Sequence, residues 1–480
     1  MKLPRRSVDE IVASLIDAPL HDARRQRRLG QLVRQMAGAP ASSLPAALGD
    51  DAQVQGGYRL LNNPAVTFDA LMAPQSDATR VRSEAVGQVL VLHDTTDCSF
   101  PHLDPDAIGY LQTGKAGFLL HLGLVVEADA WRRPLGVVHA ETISREQRSS
   151  RKKGSRKPSG AQTARWKDRE SERWWRGMAS SQQWLKDCES VIHVADREGD
   201  SYELLAKLVQ AGMHFVIRVR VDRRGRSDDD APWSTVKEVA RSAEGLVERQ
   251  VPLSRRKAKA TKRMNGAHPP RKQRMARLTF AATEVTISRP KYLSAPCPKE
   301  LRLSLVHVRE IDPPDGEPPV EWLLYTTESV ACAAQCEKIV DIYRTRWAIE
   351  EFNSALKTGC AYEQREFETL HALLNVLAIS LPIACELLWL RSRARDTPEA
   401  PATEVLTPRQ LLVLDALGSR KLGPQPTAQD ALLAVAALGG HLKRNGPPGW
   451  RVLQRGLELL HAYEVGWAAA QIRRGRRQKM

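Results

Sequence analysis

Between residues 85 and 220 the apolar residues come in short, β-branched runs separated by turn residues. Runs of that length with no polar alternation predict strands buried on both faces. The pattern places strands at 89–94, 118–126 and 135–141. A helix over Trp166 to Lys186 follows, then a strand at 191–196, a helix at 201–211 and a strand from Phe215 to Arg220. On either side the period lengthens to that of amphipathic helices. Residues 1 to about 75 read as a compact helical unit, with Ser7-Val8-Asp9-Glu10 as a capping box. Helices return after Lys357, at Leu373 to Arg391 and Gly456 to Arg474, with a Pro-rich stretch at 397–427 between them.

Three strands followed by helix, strand, helix, strand is the order of a ribonuclease-H-like domain, a fold that carries one acid on its first strand and another on its fourth. Residues 221 to about 320 read as an insertion into that domain, with strands at 278–288 and 301–310. The fold class is therefore α/β. A catalytic core spans 85–365 with a β-rich insertion, a helical domain precedes it (1–75), and a second helical domain follows (370–480).

The chain has 480 residues, 42% of them hydrophobic, enough for two or three domains with buried cores. Its formal net charge is +16, which favours a polyanionic partner. Charge alone does not separate DNA from RNA or an acidic membrane. Seven cysteines without paired spacing indicate a reduced, cytosolic chain, and Cys332 and Cys336 have no nearby partners for a zinc site. No signal peptide is expected at the start. The longest apolar run, Leu373 to Leu390, contains Asn375, Pro382 and Glu386, so it reads as a buried helix and no membrane is expected. Arg145 to Lys157 and Arg255 to Arg277 are basic loops, either solvated or facing nucleic acid. Arg24, Arg25, Arg27 and Arg28 crowd one short helix, and Tyr58 and Arg59 lie on the next. A solvated basic face and a phosphate-contacting face both fit that pattern.

Two strand predictions end in an acid: Val89-Leu90-Val91-Leu92-His93-Asp94 and Val191-Ile192-His193-Val194-Ala195-Asp196. Acids at the ends of neighbouring strands share one crevice, although a strand-end Asp is also a common turn cap. A third segment, Ile342 to Phe352 followed by Lys357, is helical in pattern. At about 100° per residue, Tyr343, Arg346, Glu350 and Lys357 fall within an arc of roughly 60°. An exposed helix with an Arg346/Glu350 ion pair fits the same spacing. Glu351 is a rival to Glu350 but lies off the stripe. Asp94, Asp196 and Glu350 together would supply oxygen donors for two Mg²⁺ ions, with Mn²⁺ as a substitute. His93 and His193 read as packing residues. A carboxylate-pair sugar hydrolase is disfavoured by the cations beside Glu350.

These segments resemble the DDE cut-and-paste transposases of bacterial insertion sequences, within the insertion-sequence-four family. The resemblance rests on Asp94-Thr95-Thr96, on Asp196-Arg197-Glu198-Gly199-Asp200, and on Tyr343/Arg346/Glu350/Lys357. It implies an enzyme that binds the ends of a mobile element, cuts them through a hairpin intermediate and joins them to target DNA as a homodimer in a synaptic complex. It implies a cytoplasmic, nucleoid-associated protein. It also implies that Asp94, Asp196 and Glu350 are catalytic. Tyr343, Arg346, Lys357 and Arg218 would contact DNA, and Trp322 would stack on a flipped base, its alternative being a core residue. Asp22 to Leu29 and Gly49 to Arg59 resemble the family's end-binding domain, which makes Arg24, Arg25, Arg28, Tyr58 and Arg59 DNA contacts. The last helices resemble its dimerisation region, where Leu453, Leu457, Leu460, Tyr463, Glu464 and Trp467 form a largely apolar stripe. Burial within the same protomer and burial between protomers both fit that stripe. The alternative function is a catalytically silent DNA-binding inhibitor of transposition.

Overall fold

Val89 to Leu92 are apolar without alternation, so β1 (Gln88–Ser99) is covered on both faces and sits inside the sheet. It pairs antiparallel with β2 (Gly117–Glu127), which pairs antiparallel with β3 (Pro134–Ile143). On its other side β1 runs parallel to β4 (Ser190–Ala195), and β4 parallel to β5 (His214–Arg218). The order β3-β2-β1-β4-β5 is that of a ribonuclease-H-like core. The computed structural model describes residues 8–129, 132–145, 172–253, 256, 270–294, 296–442, 444 and 446–477.

The insertion does not form a separate β unit. Its strands β6 (Arg224–Arg226), β7 (Ser234–Thr235), β8 (Gly245–Leu253), β9 (Arg274–Ser288) and β10 (Glu300–Ile311) extend the core sheet. β11 (Glu321–Thr326) joins the two parts, pairing antiparallel with β10 and with β5. The result is one 11-stranded sheet.

Among the described residues five helices precede the sheet: α1 (Val8–Ile16), α2 (Ala23–Gly38), α3 (Leu44–Leu48), α4 (Asp51–Leu61) and α5 (Phe68–Val86). The expected boundary at 75 falls inside α5, which runs unbroken onto β3. Ser7 lies outside the described residues, so the capping box at its position is not described. Within the core follow α6 (Pro105–Ile108), α7 (Arg173–Trp184), α8 (Tyr202–Gln210) and α9 (Val236–Ser242). The helix expected from Trp166 is described only from Arg173. The basic stretches 146–157, 254–255 and 257–269 lie outside the described residues.

The segment expected to be one helix through Lys357 is three pieces. They are α10 (Ala333–Thr345), α11 (Trp347–Ser354) and a π-turn at Ala355–Gly359. Arg346 sits at the break, where its N–H donates to the Tyr343 carbonyl, three residues back. Tighter bonding there and looser bonding at the π-turn re-phase the stripe, so a single wheel does not describe it.

The C-terminal third holds α12 (Leu370–Asp396), α13 (Pro408–Leu417), α14 (Ala428–Leu438) and α15 (Trp450–Arg477). α12 is the one described helix long and apolar enough to cross a membrane, and 94% of its apolar window is buried inside the protein. Asn375, near its start, is satisfied by donating to the Leu61 and Val66 carbonyls at 2.9 and 2.7 Å. Those bonds dock α12 on the end of α4. The Pro-rich stretch carries α13, started by a Thr407/Gln410 capping box. Leu453, Leu457 and Leu460 are buried within the chain itself, with Tyr463 and Trp467 packed partly against the same core.

Candidate active site

Parallel pairing of β1 with β4 sets the first geometry. Leu92 lies opposite Val194, so Asp94 and Asp196 each follow two residues later at the same edge of the sheet. Asp196 also caps the turn Arg197–Gly199, its Oδ1 accepting the Glu198 N–H at 2.8 Å. The capping reading and the shared-crevice reading therefore both hold for this residue.

The third acid arrives on α11. Ile349 and Phe352 are fully buried and hold the helix down, which turns Glu350 and Asn353 toward β1. Arg346 donates to Glu350, so the i,i+4 pair is present. Asn353 Nδ2 donates to Asp94 Oδ2 at 2.9 Å. Burial pushes the Asp94 carboxyl up to about 7; the nearby charges of Asp196 and Glu350 push the same way, and Arg346 opposes them. One half-buried carboxyl thus feels both other acids and one guanidinium.

Glu351 is held elsewhere: Arg391 of α12 donates to it at 2.8 Å and Trp347 Nε1 at 3.3 Å. Lys357, re-aimed by the π-turn, donates to the Asp97 carbonyl and lies 3.5 Å from Glu363. Glu363 in turn accepts the Ser99 N–H at 2.9 Å. Lys357 therefore stands beside the last residues of β1, three residues beyond Asp94.

An aromatic and basic wall stands next to Asp196. The Trp322 and Tyr343 rings lie 5.9 Å apart, and the Arg218 guanidinium lies 5.9 Å from the Trp322 ring. Tyr343 is buried and Trp322 half-buried, so Trp322 is partly a packing residue. Arg218 Nε is buried with no partner. Burial lowers the Arg197 pKa, and the Arg218 and Arg220 charges lower it further, which places three cations around this wall.

The N-terminal candidates lie on α2 and α4. Asp22 caps α2, accepting the Arg24 and Arg25 N–H groups at 2.7 and 3.3 Å. Arg24 and Arg59 are exposed. The Arg28 guanidinium lies against Gly56 of α4, where a Cβ would stand 2.8 Å from its Cζ. Tyr58 makes an edge contact with Phe367 at 5.7 Å, so its ring packs at the joint between the helical regions. Among the described residues no contact joins these side chains to Asp94, Asp196 or Glu350.

Several supporting residues carried no sequence signal. Arg173 at the start of α7 donates to Thr95 Oγ1 at 2.8 Å and to Glu198 at 3.1 Å, tying together the segments that bear the two aspartates. Behind β1, His93 Nε2 and His193 Nδ1 are 2.9 Å apart, and His193 Nε2 is 3.1 Å from Gln182. Burial lowers the pKa of both, to about 3 for His193. Asn353 was within reach of the sequence, since it stands three residues after Glu350 on the same helix.

Among the described residues no three acidic, imidazole or thiol groups already stand at metal-holding spacing. The donors nevertheless suit a hard divalent cation: all three are carboxylates, and Asp94 Oδ1 and Asp196 Oδ2 take no described hydrogen bond. Burial, with a smaller push from Asp196 and Glu350, raises Asp94 to about 7, and a cation beside it would favour its charged form.

The strand expected to end at Asp94 runs on to Ser99, so Asp94 lies inside β1, two residues beyond the last β1–β4 pair, and Asp196 lies just past β4. A ribonuclease-H-like sheet with acids so placed on neighbouring parallel strands is the architecture of enzymes that cut and join nucleic acids. Residues 13–66 match the transposase DNA-binding family and residues 175–381 match the transposase DDE domain family. Both matches are to transposase families, and together they support a DDE transposase. The first match covers α2 to α4, and the second covers Asp196, Trp322 and the stretch from Tyr343 to Lys357. Asp94 precedes the second match.

Proposed function

We propose that this transposase binds the ends of a mobile element, cuts them and joins them to target DNA, with Asp94, Asp196 and Glu350 as its catalytic acids. The observation that carries the reading is the β1–β4 register, which sets Asp94 and Asp196 side by side, with Asn353 of the helix that bears Glu350 bonded to Asp94. The three carboxylates would hold two Mg²⁺ ions, or Mn²⁺ in their place. Bound there, the ions would activate the attacking hydroxyl and stabilise the leaving oxygen. Arg346, paired with Glu350, stands where its guanidinium would face a phosphate oxygen. Arg218 and Tyr343 form the wall beside the cut strand. Trp322 would receive a base swung out of the helix, as a hairpin intermediate needs, at a stacking gain of about 1–3 kcal/mol. Lys357, bonded three residues beyond Asp94 along β1, would hold backbone further along the DNA. Arg24, Arg25, Arg28, Tyr58 and Arg59 would grip the element end from the N-terminal helices.

We read these motifs as similar to those of the transposase of transposon five. The domain division at 1–75, 85–365 and 370–480 belongs to the same reading. So do a homodimeric synaptic complex, with residues of α15 contributing to the contact, and a cytoplasmic location at the nucleoid. The test is cleavage of a duplex carrying the element's own ends with Mg²⁺. Wild type should cut. Asp94→Ala, Asp196→Ala and Glu350→Ala should bind the duplex as wild type does and fail to cut. Cutting by any of the three removes that residue from the site. Binding without cutting by wild type would instead favour the silent inhibitor.

A further inference from the structure

Asn353 is 8% exposed and donates from Nδ2 to Asp94 Oδ2 at 2.9 Å. Its Oδ1 is buried with no partner. The other groups acting on Asp94 are two like charges, a guanidinium already bonded to Glu350, and the backbone N–H of Thr95. Among the described residues Asn353 is thus the one neutral side-chain donor to this carboxylate. The rotation of a carboxyl about χ2 is broad and twofold, so an unheld Asp94 would sample many settings. An amide fixes it without adding a positive charge that would compete with a cation for the same oxygens.

We infer that Asn353 is a positioning residue that holds Asp94 through Oδ2 and keeps Oδ1 turned out for a divalent cation. The inference rests on the assignment of Asp94 under the proposed function. Groups that orient a ligand from behind contribute about 10- to 100-fold in metal affinity or activity. A residue that merely filled space would be replaceable by an apolar side chain of the same volume.

The experiment measures Mn²⁺ binding to the full chain by the electron paramagnetic resonance signal of the free ion, alongside duplex binding and cleavage. Asn353→Leu keeps the volume and removes the donor; it should bind Mn²⁺ about 10- to 100-fold more weakly and lose cleavage by a similar factor. Its duplex binding should be unchanged. Asn353→His should recover most of the Mn²⁺ affinity, because its Nδ1–H stands where the amide nitrogen stood. Mn²⁺ affinity within about twofold of wild type in Asn353→Leu overturns the inference. So does an Asn353→His variant no better than Asn353→Leu. If Asn353→Leu gives no cooperative melt, Asn353→Ser, too short to reach Asp94, takes its place with the same two readings. Asp94→Ala is the control. If it binds Mn²⁺ as wild type does, the assignment of Asp94 fails; if it loses binding and Asn353→Leu does not, only the role of Asn353 fails.

Discussion

Asp200 shares a motif with Asp196 but performs a different task, and its replacement by Asn should be among the most destabilising changes in the core. Its side chain is fully buried, and that of Arg223 is 6% exposed. Asp200 Oδ2 accepts the Arg220 and Val221 N–H groups at 2.6 and 2.8 Å, while Oδ1 accepts from Arg223 Nη1. Arg223 Nη2 also donates to the Asp200 carbonyl at 3.0 Å. Asp200→Asn removes the charge and offers an amide nitrogen to a site built of donors. Removing one partner of a buried ion pair costs about 3–5 kcal/mol. Arg223→Met should cost less, about 2–3 kcal/mol, because the carboxylate keeps both backbone donors. At about 1.4 kcal/mol per factor of ten, Asp200→Asn should speed local opening about 100-fold or more. The assay is hydrogen–deuterium exchange of the Arg220 and Val221 amides, with thermal melts of both variants. The stretch matters because it leads out of the strand carrying Arg218, so end binding should weaken with it. Wild-type exchange and melting in Asp200→Asn would refute the argument, as would a larger loss in Arg223→Met.

Glu351→Ala should cut at close to the wild-type rate and lose about 1–2 kcal/mol of stability, read from cleavage and melting together, because Arg391 is left without its carboxylate but keeps its place over Trp450. Loss of cutting at unchanged stability would make Glu351 rather than Glu350 the third acid. A pH series should show acid destabilisation from the buried histidines. His193 has a folded pKa of about 3 against an ordinary 6.5, so below 6.5 the unfolded chain takes up the proton first. Stability is then whole above 6.5 and falls between 6.5 and 3 at up to about 1.4 kcal/mol per pH unit for this residue. Chemical denaturation at pH 7.5 and pH 5 measures the slope, and His193→Gln should flatten it; an unchanged slope contradicts the burial argument.

The ribonuclease-H-like core was legible because its central strands are buried on both faces. Val89 to Leu92 and Val191 to Ala195 announce themselves as strands, and a carboxylate that ends such a run must leave the core. The insertion was legible as β-rich but not as part of the same sheet. Its attachment depends on β11 pairing with β5, across more than a hundred residues, and no local pattern encodes that partner. The break at Arg346 has no Gly or Pro to mark it. It arises because Ile342 and Tyr343 are buried before it and Ile349 and Phe352 after it, which one straight helix does not reproduce. Tyr58, grouped with the arginines because its segment resembles an end-binding domain, owes its setting to Phe367.

Acids and their supports therefore differ in legibility for a physical reason. A run of buried apolar strand residues leaves the Asp that follows it at the margin of the core, whatever lies around it. An Asn on a helix reads the same whether it faces water or a carboxylate. The contact that gives Asn353 its meaning reaches Asp94 across 259 residues, and that between Arg173 and Thr95 crosses 78. Glu350 and Glu351 make the point at its narrowest. They are adjacent and chemically identical, and they differ by about 100° around α11. That rotation gives one of them Arg346 and the neighbourhood of Asp94, and gives the other Arg391 of α12. The wheel separates the two residues, but only the packing of α11 between β1 and α12 decides what each direction contains.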